Sequence, residues 1–297
     1  MIPGVAGVAD ALASGSYAAG WALLKTMPEG VARRLFDAGA DLAAARGGGG
    51  IDKLRANLER VAPGQDLIRP AVRSYARYWC EAFRLPAMQP ARILDHTRTV
   101  REHLLRDSVA GDRGTIMVLP HSGNWDAAGA WCGLTDVPFT TVAERLKPES
   151  LFQQFVDFRQ SLGMEVLPLT GGTRNPFEVL TERLEAGGTI CLLADRDLTP
   201  RGIDVDFFGA TARMPAGPAR LALATGASLM PTTLAFVGDR DWEITFHPYV
   251  PEADLTTMTQ GVATAFESAI RKDPADWHML QKLWLDDLAP DDPRRSA

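Results

Sequence analysis

The chain has 297 residues, 46% of them hydrophobic and 23% charged, and a formal net charge of −6. That is the make-up of a soluble globular protein with core enough for one large domain or two. No run of about 20 uncharged apolar residues occurs, so no membrane-spanning helix is expected. Met1-Ile-Pro-Gly-Val-Ala-Gly-Val-Ala-Asp10 lacks the basic start and unbroken apolar stretch of a secretory signal, so export by that route is not expected.

From about Ala11 to Leu105 the sequence is rich in Ala, Leu and Arg at helical spacing, interrupted at Pro28, at Gly47-Gly-Gly-Gly50 and at Pro63-Gly64. The pattern predicts a set of helices. Within it Tyr17, Trp21, Leu24, Val31, Leu35 and Phe36 recur at roughly helical intervals, suiting either a membrane interface or an ordinary core. Charge is uneven: residues 1–110 carry 15 Lys/Arg and 11 Asp/Glu, the remainder 16 and 26. The first third is therefore positive and expected to face something anionic. The acidic remainder, with no zinc-finger spacing and no long basic helix, argues against nucleic acid. A lipid surface fits better, with a solvated helical face as the alternative.

From Thr115 onward, apolar runs at 115–120, 138–143, 165–169, 189–194, 228–236 and 242–249 alternate with helical patterns. This predicts an α/β fold, a central and mainly parallel sheet flanked by helices, its last two strands an antiparallel hairpin across Gly238-Asp-Arg-Asp241. Nothing divides the chain: residues 1–290 read as one domain, 1–110 its helical, membrane-facing part and 111–290 its α/β part, with 291–297 a flexible tail. Cys80, Cys132 and Cys191 form no C-x-x-C pair and lie in apolar runs, as reduced core thiols of a cytosolic protein do.

Polar residues gather where the predicted strands end: His121, Glu144-Arg145, Thr170-Gly171-Gly172 and Asp195-Arg196-Asp197. Ligands of open α/β sheets bind beyond the carboxyl ends of the strands, so the four segments predict one site. The sharpest is His121-Ser-Gly-Asn-Trp-Asp126. Five helical positions turn the chain by about 500°, so the two side chains do not share one face of a continuous helix. A strand ending at Pro120, a turn over Ser122-Gly123-Asn124 and a helix carrying Asp126 in its first turn let the carboxylate reach back to the imidazole. A histidine bonded to a carboxylate through one nitrogen has the other free as a general base. The alternative is a pair that only caps the helix.

No G-x-S-x-G elbow, no P-loop and no G-x-G-x-x-G after the first strand is present, and His96, His103, His121, His247 and His278 show no zinc-binding spacing. What remains is a base without its own nucleophile, as in direct transfer to a substrate hydroxyl, with no metal and no cofactor expected. Arg213-Met-Pro-Ala-Gly-Pro218 predicts a rigid turn before a helix over 219–225, its amides forming either an anion cradle or a turn only.

These motifs resemble a known family. His121 and Asp126 match the H-x4-D signature of glycerolipid-type acyltransferases, and His-Ser-Gly-Asn-Trp-Asp is similar to the H-x-G-N-W-D/E form of the late acyltransferases of lipid A biosynthesis. Thr141-Val-Ala-Glu-Arg-Leu-Lys-Pro-Glu149, Asp195-Arg-Asp-Leu-Thr199, Val205-Asp-Phe-Phe-Gly209, Arg213–Pro218, Tyr75–Arg84 and Trp277-His-Met-Leu-Gln281 extend the resemblance over nearly the whole chain. It is greatest to members of the family that acylate phosphatidylinositol mannosides. The resemblance implies transfer of a palmitoyl group from palmitoyl-CoA, a substrate and not a cofactor, to the 6-hydroxyl of a mannose on phosphatidylinositol mannoside. It implies a peripheral enzyme at the cytoplasmic face of the plasma membrane.

It further implies His121 as the base, Asp126 as part of the signature and Asp195 as the acidic partner of the imidazole. Arg159 and Arg201 are expected at the acyl-CoA and Glu144 near the acceptor, with Arg196 and Arg213 as further substrate contacts. Each of Arg159, Arg201 and Glu144 could otherwise be in a surface salt bridge. Similar proteins usually carry Glu where this chain has Asp195, so either the backbone sits closer here or Asp126 orients the imidazole. Competing readings are acylation of another glycolipid or a lysophospholipid, and lipid binding without turnover. The intact His121/Asp126 pair speaks against the latter.

Overall fold

Thr115-Ile-Met-Val-Leu119 is apolar without alternation, as a strand buried on both faces must be, and all five of its residues are buried. The computed structural model describes residues 20–21, 23–145, 149–197 and 201–295. A seven-stranded sheet contains β1 (Thr97–Val100), β2 (Thr115–Leu119), β3 (Phe139–Ala143), β4 (Met164–Pro168), β5 (Thr189–Leu193), β8 (Ser228–Val237) and β9 (Asp241–Phe246). Between β5 and β8 in the chain, β6 (Ile203–Phe207) and β7 (Ala210–Met214) form a separate antiparallel hairpin. The helices are α1 (Glu29–Arg46), α2 (Gly49–Val61), α3 (Ile68–Arg84), α4 (Pro90–Asp95), α5 (Glu102–Val109), α6 (Trp125–Leu134), α7 (Glu149–Ser161), α8 (Pro176–Glu185), α9 (Gly217–Thr225) and α10 (Leu255–Lys272).

The sheet order is β1-β9-β8-β2-β5-β3-β4, with every neighbouring pair parallel except β8–β9. The carboxyl ends of β2, β5, β3 and β4 therefore share one edge. Side chains of a strand point alternately to the two faces. Ile116 and Val118 enter one apolar cluster with Ile190 and Leu229, and Met117 and Leu119 enter a second with Met230 and Leu234. Burial on both faces holds β2 in a single register, since a slip of one residue would exchange its faces.

The α/β class and the six strands expected after Thr115 are present, each within a few residues of its predicted bounds, and Gly238, at φ 53°, turns the β8–β9 hairpin. Three elements were not foreseen. β1 lies inside the stretch read as helical and adds a short edge strand beside β9. In β6 the alternation of Val205 and Phe207, buried, with Asp204 and Asp206, exposed, is that of a half-buried strand. Its partner β7 carries Arg213, which is thereby a strand residue and not part of the turn that follows. Of the aromatic stripe, Tyr17 lies outside the described residues. Trp21 is core: its indole packs against Phe83, Phe155 and Phe158 and donates to the Phe83 carbonyl at 2.8 Å. Val31 and Leu35 are exposed.

One charged group ties these parts together. In α3 the Arg77 guanidinium donates from Nε to Glu81 at 2.6 Å, with both side chains nearly buried. Arg77 also donates to the carbonyls of Gly238 and Asp241 at the β8–β9 turn. Glu81 accepts from Asn124 Nδ2 at 2.9 Å and from Trp242 Nε1 at 2.7 Å. Removing one member of a buried pair strands its partner's charge, at a cost of about 3–5 kcal/mol. Glu81→Ala is expected to lose stability on that scale in urea unfolding. A loss below about 1 kcal/mol, the level of an exposed pair, would show that the pair is dispensable.

Candidate active site

In the β2–β5 register Leu119 lies opposite Leu193, and the Ala194 N–H continues the ladder to the Leu119 carbonyl at 2.9 Å. Adjacent parallel strands are about 4.8 Å apart, so the residues leaving them, His121 and Asp195, emerge side by side. His121 Nδ1 is 2.5 Å from Asp195 Oδ1, and the His121 backbone N–H donates to Oδ2 at 2.9 Å. Asp195 has no exposure, while the His121 side chain is 18% exposed. Burial opposes the charge of Asp195, but the charge and hydrogen bonds of His121 and the indole of Trp277 outweigh it and hold the carboxyl below its usual range. Among the described residues the second imidazole nitrogen, Nε2, has no hydrogen-bond partner. Such a ring can take a proton from a bound hydroxyl.

The turn after β2 is built as expected, with a tight constraint at Gly123. Its φ is +55°, and a Cβ there would lie 2.9 Å from the Leu234 backbone. Only glycine combines that conformation with so close an approach. Asn124 caps α6 by accepting from the Ala127 N–H at 3.0 Å. Asp126 occupies the first turn of α6, but it does not reach back to His121. Its oxygens are taken by Arg159 Nε at 2.8 Å and by the Tyr78 hydroxyl at 2.9 Å. The expectation of an Asp126–imidazole contact is thus corrected, and Asp195 is the carboxylate that orients the ring. Burial opposes the charge of Arg159, but Asp126 overcomes it and raises the guanidinium's pKa. Arg159 is therefore in a largely buried pair and not a surface bridge.

The other expected residues are spread around this edge. Glu144 is exposed just past β3, and its neighbour Arg145 pairs with Glu149 and donates to the Gly171 carbonyl. Arg196 is partly buried beside Asp195, and Arg201 is exposed. The Leu146-Lys147-Pro148 part of one motif and the Leu198-Thr199 part of another lie outside the described residues. Arg213 pairs across the hairpin with Asp204 at 2.7 Å, its side chain 4% exposed.

Two residues beside the imidazole carried no chemical signal of their own in the sequence. Trp277 Nε1 donates to Asp195 Oδ2 at 2.9 Å, and the His278 backbone N–H donates to the His121 carbonyl at 2.7 Å. A Trp-His pair after a long helix was the available hint. A short apolar groove of about 700 Å³, lined in part by Leu35, Phe36, Val72, Tyr75, Trp79 and Phe83, opens between α1 and α3. Rings lead from it toward the imidazole. Trp79 touches Tyr75, Tyr75 touches Tyr78, Tyr78 lies 3.9 Å from Trp125, and Trp125 meets His121 edge-on at 5.7 Å between centroids.

With this geometry in place, comparison with known sequences assigns the class. The chain belongs to the bacterial lipid A biosynthesis acyltransferase family, whose model matches residues 12–286. It is 52% identical over 288 residues to the phosphatidylinositol mannoside acyltransferase of Mycolicibacterium smegmatis, covering 94% of this chain and 93% of that protein. It is 49% identical over 285 residues to the protein of the same name in two strains of Mycobacterium tuberculosis, covering 92% of this chain and 89% of each relative.

His278 makes a measurable statement about pH. Ser74 donates its hydroxyl proton to Asp276 at 2.7 Å, so the 3.0 Å contact between Ser74 Oγ and His278 Nε2 is a bond donated by the imidazole. Its Nδ1 is buried without a partner among the described residues. Burial, and then the charge of His121, push the His278 pKa down to about 3. Between about pH 6.5, the usual histidine value, and pH 3 the unfolded chain binds a proton here that the folded chain does not. Stability is therefore expected to fall with pH across that window, by up to about 1.4 kcal/mol per pH unit from this residue. Urea unfolding of the wild type and of His278→Gln at several pH values measures it, and equal pH slopes for the two would refute it.

Proposed function

We propose that this protein is an acyl-CoA-dependent O-acyltransferase that moves a palmitoyl group to the 6-hydroxyl of a mannose on phosphatidylinositol mannoside, without an acyl-enzyme. The acceptor is supported by the name shared by relatives at about half identity over most of the chain. The observation that carries the mechanism is the partly exposed His121, its Nδ1 bonded to buried Asp195 and its Nε2 without a protein partner among the described residues. In this reading Nε2 takes the proton of the mannose hydroxyl as its oxygen attacks the thioester carbon. When the C–S bond breaks, the imidazolium returns that proton to the departing coenzyme A thiolate. Asp195 stabilises the imidazolium between the two steps.

A protein nucleophile fits poorly. Among the described residues the buried Ser122 hydroxyl has no partner, and it has no bond to the imidazole next to it. Burial pushes the thiols of Cys80 and Cys132 up to about 11 and about 12, and that of Cys191 higher still, so none supplies a thiolate at neutral pH. The aromatic-lined groove suits the acyl chain, since each methylene withdrawn from water contributes about 0.8 kcal/mol. Arg159 is committed to Asp126, which favours a role in holding the site over direct contact with the acyl-CoA. Arg213, paired with Asp204 and more deeply buried, is favoured for the same holding role, and Arg196, Arg201 and Glu144 remain the proposed substrate contacts.

Labelled palmitoyl-CoA incubated with phosphatidylinositol mannosides, a lipid A precursor and a lysophospholipid tests the acceptor, and preference for either of the last two would replace it. His121→Ala is expected to stay folded and lose about 10²–10⁴-fold in turnover. Asp195→Asn should be impaired and Asp195→Glu active. A folded His121→Ala protein retaining a tenth of wild-type kcat would remove the base from the mechanism, as would a covalent acyl adduct that chases into product.

The same reading places the enzyme peripherally on the cytoplasmic face of the plasma membrane. No helix among the described residues is long and apolar enough to cross a membrane. Val31, Leu35 and Leu42, on one stripe of α1, are 48–57% exposed, with exposed Lys25, Arg34 and Arg46 nearby. An apolar stripe flanked by cations suits the interface of an anionic leaflet. Vesicle binding should increase with phosphatidylinositol content, weaken at high salt, and drop in the Leu35→Asp/Leu42→Asp double variant. Trp21→Ala, by contrast, should lower stability, because that ring is core. Equal binding of the double variant and the wild type would remove α1 from the interface.

A further inference from the structure

We infer that Trp277 is a positioning residue for the His121–Asp195 pair, its indole N–H being, among the described residues, the one hydrogen-bond donor that fixes the Asp195 carboxylate independently of His121. The inference rests in part on the acyl-transfer reading, because that reading gives the pair its work. Among the described residues Asp195 accepts three bonds, from His121 Nδ1, from the His121 backbone N–H and from Trp277 Nε1. The first two come from the residue that the carboxylate is meant to orient. Those two donors leave the carboxylate referenced to a single residue, through its main chain and its own ring. The third donor supplies a second reference, on Oδ2, leaving Oδ1 aimed at the imidazole.

The indole is well placed to act as that reference. Trp277 has no exposure and packs edge-on against both Phe207 and Trp284 at 6.1 Å. Trp284 is anchored in turn by donating to the Phe207 carbonyl at 2.7 Å, with Arg60 over its ring. On the other side, the bridge between Ser122 and Trp277 and the bond from the Gly123 N–H to the Asp276 carbonyl at 3.0 Å tie this segment to the turn carrying His121. Of the titratable side chains acting on Asp195, His121 is its partner, and His278, one residue beyond the indole, is kept neutral. Without the indole donor the carboxylate charge falls more fully on the imidazole, and Oδ2 keeps only the His121 backbone N–H.

Two variants separate the N–H from the ring. Trp277→Phe keeps an aromatic ring, and benzothienylalanine at position 277 keeps the indole shape with sulfur in place of N–H, so it carries the test if the Phe variant fails to fold. In both, kcat for palmitoyl transfer to phosphatidylinositol mannoside should fall about 10- to 100-fold, the worth of a hydrogen bond to a charged group, with KM unchanged. The acid limb of the kcat–pH profile should move to higher pH. In the ligand-free protein the proton resonance of the His121 Nδ1–H should also move, and this readout needs no turnover. A folded variant with wild-type kcat, an unmoved acid limb and an unmoved resonance overturns the inference. A moved resonance in proteins that transfer no acyl group would uphold the positioning role and overturn the acyl-transfer reading instead.

Discussion

A carboxylate shut away from water stays ionised only where other donors replace the water it has lost, and the arrangement around Asp195 follows from that requirement. Its three bonds come from the strand-end histidine, twice, and from an indole 82 residues further along the chain. The β2–β5 register places the two residues side by side, the positive φ of Gly123 lets the chain turn immediately beyond them, and the Asn124 cap starts α6. Each of these local features has an ordinary physical cause. Their conjunction makes one imidazole rigid on its Nδ1 side and open on the other.

The two carboxylates of the region have separate duties. Asp126 is neutralised by Arg159 and bonded by Tyr78, so it joins α6 to α7 and α3. The imidazole consequently experiences chiefly the charge of Asp195. A second bare carboxylate nearby would have made the proton harder to release and the site harder to desolvate. The Arg159 guanidinium removes that conflict. Asp195 reaches the imidazole because the backbone ladder continues through Ala194, which brings the two strand ends close enough for a 2.5 Å contact.

Much of this was legible from residue order alone. The unalternating run Thr115–Leu119 announced a strand buried on both faces, and the H-x4-D spacing required the histidine to precede its helix. Position along the chain did not reveal which carboxylate faced the ring, because that depends on the spatial neighbour of β2 being β5, a pairing of strands 74 residues apart. The split of the N-terminal stripe was equally hidden, since helical spacing alone does not say whether an apolar position faces the core or the solvent. Only packing against Phe83, Phe155 and Phe158 separates the core residue from the surface one. β1 escaped notice because a four-residue edge strand carries weak periodicity, and β6 because its alternation, though clear, spans only five residues. Trp277 and His278 stood in a stretch that shares the resemblance, but an indole N–H and a backbone N–H carry no sign of the partners they bind.

The dependence of the pair on Trp277 has a consequence for synthesis. His121 and Asp195 belong to neighbouring strands that can pair once the chain has reached about residue 195. The indole, and the carbonyl of Asp276 that receives the Gly123 N–H, come some 80 residues later and are held in turn by Trp284. Contacts of such sequence separation form late. A growing chain therefore carries the reactive imidazole before the clamp that orients it exists, and the segment from Asp276 to Trp284 acts as a latch that sets the site only once it has been made and has packed.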